Sequence, residues 1–280
     1  MFSQTWQVGL DIQDHCVRAL AAQRRRNGWQ LRHWWQQHLS DSALRQGKLE
    51  CSETLVAALK QWRSRLPRHI SLRIALPAQR VLQQTLPLPD LRLQEPVRHD
   101  YITTQGLKQF PLDSLTLAMD YRQAQPNTHQ LLLTAARQQE LQQWLHCLQR
   151  ADLHPQVIDI APNALSMMAT FAGLAADAGL LHRLESEWLW IAPRAMPFTY
   201  GVLPAGETAS VKQALAAMRS ACPALGAKDV YYSSVLDETA PEGTMPWSPF
   251  TAFSRLYPPL PARPMAFVLA GGLALRREDA

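Results

Sequence analysis

Asp11 and Asp14 stand three residues apart near the start of the chain, followed directly by His15 and Cys16. A carboxylate pair at a strand end can hold a divalent metal or position a water. A nuclease of that kind needs three or four clustered carboxylates for two metals. Asp159 is a conceivable third, and an unsupported acidic pair at a turn is ordinarily solvated. His15 and Cys16 would make a thiol–imidazole pair, but successive strand side chains point to opposite faces, so the two do not meet. Arg24, Arg25 and Arg26, with Trp29, Trp34 and Trp35 nearby, combine charge that neutralises phosphate with rings that could stack on unpaired bases. The same residues also read as a solvated hairpin tip above packed tryptophans, or as a basic edge facing an anionic leaflet. Motifs of the type Gly-x-x-x-x-Gly-Lys, Gly-x-Ser-x-Gly and His-Glu-x-x-His are absent, which leaves P-loop, serine-hydrolase and zincin chemistry without support. Cys16, Cys51, Cys147 and Cys222 show no zinc spacing and read as reduced thiols of a cytoplasmic protein.

Composition narrows the field further. The 280 residues are 47% hydrophobic and 18% charged, with 28 Lys and Arg against 23 Asp and Glu. That suffices for a large core and excludes intrinsic disorder. The net charge of +5 suits a polyanionic neighbour without requiring one. Twelve glycines are few for an enzyme built on several Gly-rich phosphate loops. The first residues lack the pattern of a secretory signal. The longest charge-free apolar stretch, Ile160 to Ala176, is broken by Pro162, Asn163, Ser166 and Thr170 and falls short of the ~20 residues a spanning helix needs.

These groups must be positioned by the elements around them. Trp6, Val8, Leu10 and Ile12 alternate as a half-buried strand, Cys16 to Ala22 continues the pattern, and Asn27-Gly28 predicts a hairpin into a third strand, Trp29 to Leu39. Ser52 opens a helix with Leu55, Leu59, Trp62 and Leu66 on one face, and Ile70 to Leu76 alternates in a fourth strand. From Arg80 to Ala136 the expectation is a strand (Val81 to Leu86), a helix (Gln94 to Lys108) and two strands (Leu115 to Arg122, His129 to Ala136) around a Gln125-Pro126-Asn127 turn. A helix over Gln138 to Arg150, a strand over Gln156 to Ile160 and a helix led by Pro162 follow. The last third predicts a hairpin (Glu187 to Ile191, Phe198 to Leu203), a helix over Thr208 to Ala221, a strand over Asp229 to Ser233, a proline-rich loop over 237–264 and a closing helix from Met265 to Arg277. Strand, strand, strand, helix, strand and then an insertion opens the actin-like, ribonuclease-H-like α/β fold. Residues 1–79 and 137–178, with the closing helix 265–277, would form its first subdomain. Residues 80–136 would be a small inserted α+β subdomain, and 179–264 a reduced second half.

Six segments carry a more specific signal: Val8-Gly9-Leu10-Asp11, Ala75-Leu76-Pro77, Leu86-Pro87-Leu88-Pro89, Phe110-Pro111-Leu112-Asp113, Leu133-Thr134-Ala135-Ala136 and Gly272-Leu273-Ala274-Leu275-Arg276. In this order, over nearly the whole chain, they resemble the PilM family of type IV pilus assembly proteins. Arg32-His33-Trp34-Trp35 and Glu187-Trp188-Leu189-Trp190 are similar to runs in an enterobacterial member that serves DNA utilization. The resemblance implies an FtsA-like actin fold and a cytoplasmic protein peripheral to the inner membrane. It also implies a grip on the short N-terminal cytoplasmic tail of a bitopic membrane protein of PilN type, within a pilus-like or DNA-uptake (competence) machine. The tail would lie between the first subdomain and the insert, with Arg80, Leu82, Leu86 and Tyr121 as candidates. Leu82 and Leu86 share a strand face, and Tyr121 would add an aromatic wall; ordinary subdomain core is the competing reading.

Pilus-associated PilM proteins bind ATP through two Asp-x-Gly phosphate loops and a late Gly-Gly adenosine loop. Here Asp11-Ile12-Gln13 replaces the first, His182-Arg183-Leu184-Glu185 stands near the second, and Ser233-Ser234-Val235 replaces the third. Gly271-Gly272 falls in the closing helix, where close packing explains it. The expectation is a non-catalytic scaffold without cofactor or metal, ATP and Mg²⁺ having been lost at the degenerate positions Asp11, Gln13, Glu185 and Ser233. Direct nucleic-acid contact is not expected. A degenerate actin-like ATPase and a DNA-binding module built on the arginine tip are the alternatives.

Overall fold

Alternating apolar residues build a meander from β1 (Trp6–Ile12), β2 (Cys16–Arg25) and β3 (Gly28–His38) in the computed structural model, which describes residues 5–90, 92–110, 116–123, 129–206 and 210–276. A small ribbon of β4 (Leu44–Arg45) and β5 (Lys48–Leu49) leads into α1 (Glu53–Arg63), whose cap Ser52 accepts the Leu55 amide. β6 (Ile70–Leu76) then returns parallel to β1. β7 (Val81–Pro87), α2 (Val97–Leu107), β8 (Leu117–Gln123) and β9 (Gln130–Arg137) form a separate antiparallel sheet in the order β7-β9-β8. α3 (Gln138–Arg150) and β10 (Pro155–Ile160) rejoin the first sheet, whose order is β10-β6-β1-β2-β3.

α4 (Ala161–Phe171), with a proline in its first turn, crosses to the second half. There β11 (Gly179–Arg183), β12 (Glu187–Ile191) and β13 (Tyr200–Pro204) precede α5 (Val211–Ala221), β14 (Val230–Ser234) and the two-residue β15 (Met245–Pro246). The sheet order is β13-β12-β11-β14-β15. α6 (Val268–Leu275) comes back to pack on β1, β2 and α4.

Apolar layers alternate with these sheets. One face of the first sheet packs on α1 and α3, where Trp35 stacks on Trp62 at 5.1 Å. Its other face and the second sheet share α4 and α6, and α5 closes the far side of the second sheet. Close approach of α6 explains two glycines. A Cβ on Gly9 would overlap the Ala270 carbonyl, and one on Gly272 would overlap that of Ala164.

Several elements differ from expectation. β11 has no alternation to reveal it, because four of its five residues are buried. The segment 237–264 contains β15 and a 3₁₀ turn, Pro249–Ala252, rather than loop alone. Pro264–Phe267 is a 3₁₀ turn, so the closing α-helix begins only at Val268. α2 starts at Val97, after Pro96, not at Gln94. The Gln125-Pro126-Asn127 turn, Pro111 to Asp113, Leu115, Thr208 and Arg277 lie outside the described residues.

Candidate functional site

β1 ends where the turn after β11 meets the first sheet, and Asp11 is buried there. Asp11 is 6% exposed, and its Oδ1 accepts from Gln13 Nε2 at 2.6 Å while Oδ2 is buried without a partner. Burial pushes its carboxyl up to about 6, against the pull of Arg18. Arg18 sits directly opposite Asp11 in the β1–β2 ladder, 2% exposed, and its Nη2 lies 3.8 Å from Glu185 Oε1. Glu185 comes from the turn between β11 and β12, and its Oε2 accepts the His15 amide at 2.8 Å. The remaining guanidinium nitrogens of Arg18, Nε and Nη1, are buried without partners.

The second sheet completes this cluster. His182 on β11 is fully buried, with Nδ1 2.8 Å from Ser233 Oγ on β14. Burial, and then the nearby Arg18 charge, hold the imidazole neutral down to about 3. Burial likewise pushes the Cys16 thiol up to about 11. Asp11 and Gln13 are bonded, Glu185 ties to Arg18 and His15, and Ser233 joins through His182. Sequence reasoning missed Arg18 and His182. The available signal was a polar, ionisable residue within each of two apolar strand segments.

No group of three or more His, Cys, Asp or Glu side chains able to hold a metal occurs among the described residues. Asp159 is occupied elsewhere, by Arg276 Nε at 2.6 Å and Asn163 Nδ2 at 2.7 Å. The arginine tip is exposed, but its tryptophans are not free to stack on bases. Trp29 packs edge-on to Phe171, Trp35 is buried on Trp62, and Trp34 donates Nε1 to the Pro259 carbonyl at 2.7 Å.

The insert forms a second candidate site. Arg80 donates Nε to Glu140 of α3 at 2.8 Å and Nη2 to the other carboxylate oxygen, bracing the root of the insert on the main body. Leu82, Leu86 and Tyr121 pack with Ile102, Phe110, Leu131 and Leu133 beneath α2, Leu86 buried and the other two half-buried. The Tyr121 hydroxyl lies 3.2 Å from His99 Nδ1. Leu82 borders a cavity of about 190 Å³ with Arg80, and Tyr121 borders one of about 490 Å³. This larger cavity lies between the insert sheet and the main body, lined by Ala118, Asp120, Arg122 and Thr134 on one side and Ile158, Asp159, Asn163 and Arg276 on the other. Arg122 spans it, donating to Asn163 at 2.8 Å, with its guanidinium 5.4 Å from the Phe198 ring. The period-two pattern of Ala118, Asp120 and Arg122 carried this face in the sequence.

Two five-stranded sheets meeting across a helix pair, with a small α/β unit inserted beside the first, make an actin-like fold. A solved chain described as a PilM–PilN type IV pilus biogenesis complex matches with a TM-score of 0.67 at 18% identity, over 96% of this chain and 97% of that one. The cytoplasmic domain of EpsL, an inner-membrane component of the type II secretion system of Vibrio cholerae, matches with 0.57 at 10% identity, over 97% and 95%. The DNA utilization protein HofM of Escherichia coli (strain K12) is 27% identical over 275 residues, 98% of each chain. The family model for type IV pilus assembly protein PilM matches residues 9–178. This chain belongs to the PilM family. Among its described residues no helix is long and apolar enough to cross a membrane.

Proposed function

We propose that this chain is a non-catalytic cytoplasmic scaffold of a pilus-like, DNA-uptake machine, and that it holds the N-terminal cytoplasmic tail of a PilN/HofN-type inner-membrane protein. The observation that carries the reading is the buried cluster of Asp11, Gln13, Arg18 and Glu185. Where phosphate loops would present glycine backbone N–H groups, this chain presents the side chains of Gln13, Arg18 and Glu185. A triphosphate would meet the Asp11 and Glu185 carboxylates, and the Arg18 guanidinium is already engaged with Glu185. These residues do not fit magnesium-ATP. The two halves are instead tied by protein groups.

The cavity between insert and main body supports the partner half of the reading. Its mixture of backbone edge, apolar wall and fixed charges suits an extended peptide, and attachment to the inner membrane would come through that partner. The 27% identity to a DNA utilization protein supports the cellular role. Calorimetry tests the first half: magnesium-ATP should give no binding isotherm, and a dissociation constant in the low micromolar range would overturn the reading. A synthetic peptide of the partner's cytoplasmic tail should raise the melting temperature by mass action. Absence of binding at millimolar peptide, with the protein folded, would sink the scaffold function in this form.

A further inference from the structure

Positive charge gathers at one corner of the first sheet, where neither site lies. β3 is the edge strand there, and the chain after η-turn 249–252 runs beside it: the Ser254 amide donates to the Trp29 carbonyl at 2.8 Å and the Leu31 amide to the Arg255 carbonyl at 2.9 Å. Arg24, Arg25 and Arg26 make the exposed β2–β3 tip, with the Arg24 guanidinium 6.0 Å from the Trp29 ring. Arg32 and Arg255 both lie on the Tyr257 ring, at 4.5 and 4.8 Å from its centre. Gln7 stands opposite Ala22 of β2 and Trp6 opposite Ile70 of β6, so the starts of β1 and β6 share this end of the sheet with the tip. Arg68, exposed just before β6, joins it. Among the described residues none of these arginines forms an ion pair. Along the same edge Trp34 Nε1 donates to the Pro259 carbonyl at 2.7 Å, and the next residue, Leu260, is 38% exposed.

We propose that this corner is a docking surface for the anionic headgroups of a phospholipid bilayer. Unpaired guanidinium groups held together repel one another in the free protein, and an external anionic surface relieves that repulsion. Arginine matches phosphate oxygens with a planar fork of donors. Stacking on Tyr257 occupies the faces of Arg32 and Arg255 and leaves their N–H edges for phosphate.

Tyr257 and Leu260 favour a bilayer over a nucleic acid. An aromatic ring with a polar tip and an exposed apolar side chain both suit the headgroup level of a membrane. A duplex backbone gives Leu260 nothing to bury against, and Trp29 and Trp35 are buried rather than free to stack on unpaired bases.

The contact adds orientation to anchorage by the partner. β3 and β10 are opposite edges of the five-stranded sheet, roughly 19 Å apart at ~4.8 Å per strand, and the larger cavity lies at β10. Headgroup binding and tail binding are therefore separable by mutation.

The test uses the purified full chain without a partner. It is mixed with vesicles of pure phosphatidylcholine, or with vesicles that are one-third phosphatidylglycerol, and bound protein is separated by flotation. The expected result is partition to the anionic vesicles alone, lost at about 1 M salt, where the screening length falls to ~3 Å. Arg24→Ser, Arg25→Ser and Arg26→Ser together should lower the partition coefficient roughly a hundredfold, with melting temperature and tail-peptide affinity unchanged. Arg24→Lys, Arg25→Lys and Arg26→Lys together should retain most of it. Arg68→Ser with Arg255→Ser should also lower it, and decides if the tip variant fails to fold. A control triple, Arg92→Ser, Lys108→Ser and Lys228→Ser, removes the same charge from exposed positions elsewhere and should bind as the wild type does. Equal binding to both vesicle types, undiminished partition of the arginine variants, or an equal loss in the control would each overturn the proposal. A random-sequence duplex should bind no better than roughly 10⁻⁴ to 10⁻⁶ M at physiological salt; tighter binding that the tip variant loses would reassign the corner to nucleic acid.

Discussion

Glu185 divides its carboxylate between two points of the first sheet's lobe: Arg18 Nη2 stands 3.8 Å from one oxygen, and the His15 amide donates to the other at 2.8 Å. A turn in the second lobe thereby latches the β1–β2 corner. Arg18 is only 2% exposed, so removing the Glu185 charge leaves a buried cation with the Asp11 carboxyl alone beside it. Glu185→Gln should keep the amide bond and lose the charge. The expected cost is roughly 2–3 kcal/mol in urea unfolding, below the ~3–5 kcal/mol of a fully buried pair because the contact is long and Glu185 partly exposed. Arg18→Met in the same chain should recover most of the loss, which a double-mutant cycle measures; independent, additive losses would argue against the latch.

Asp11 makes the buried cluster sensitive to pH. Its carboxyl rests at about 6 when folded, raised from an ordinary value of 3.8. Between those values the folded chain binds the extra proton, so Asp11's contribution is fully present below about 4 and is lost as pH rises through about 6. Asp11→Asn removes the term. The variant should gain on the wild type from pH 4 to 6 and hold a constant advantage above, at most about 3 kcal/mol at roughly 1.4 kcal/mol per unit. Unfolding curves at pH 4, 5, 6 and 7 check this. An advantage independent of pH would refute the assignment.

Most of this architecture was legible in local patterns. The β1 to β3 alternation, the Ser52 cap and the α3 face at Trp144 and Leu148 each follow from residues a few positions apart. The latch was not legible, because Arg18 and Glu185 meet only after two sheets have formed and nothing local couples them. β11 escaped for another reason: a strand buried on both faces shows neither a polar period nor a helical one. In the insert, the expectation named the apolar face of the β7-β9-β8 sheet. Its opposite face, with Asp120 and Arg122, lines the larger cavity.

Gly272 offers a test of packing alone. Its missing Cβ would fall on the Ala164 backbone carbonyl, which cannot rotate away as a side chain could. Gly272→Ala should therefore separate α6 from α4 and cost about 1–3 kcal/mol. Gly206→Ala, where nothing stands within 4 Å of the added carbon, should change the melting temperature little. Equal melting temperatures for the two variants would contradict this helix packing.

Leu86 and Ala118 lie on opposite faces of the insert sheet, and the tail-binding proposal makes different demands on each. Leu86 is buried beneath α2 with Ile102 and Leu131, so Leu86→Asp places an unpaired charge in a core and should lower stability by several kcal/mol. Ala118 is half-buried and lines the cavity of about 490 Å³ that faces β10 and α4. Ala118→Trp should fill that space with apolar surface and leave the fold intact. Its melting temperature should match the wild type, while its affinity for the partner's tail peptide falls at least tenfold. Leu82, half-buried beside Arg80 at the smaller cavity, should be intermediate: Leu82→Asp loses some stability and some binding together. Peptide titration by calorimetry, with thermal unfolding of the same samples, separates the two faces. If wild type binds the tail and Ala118→Trp binds it equally well, the tail lies elsewhere, and the beneath-α2 face, tested by Leu82→Asp, becomes the place to look.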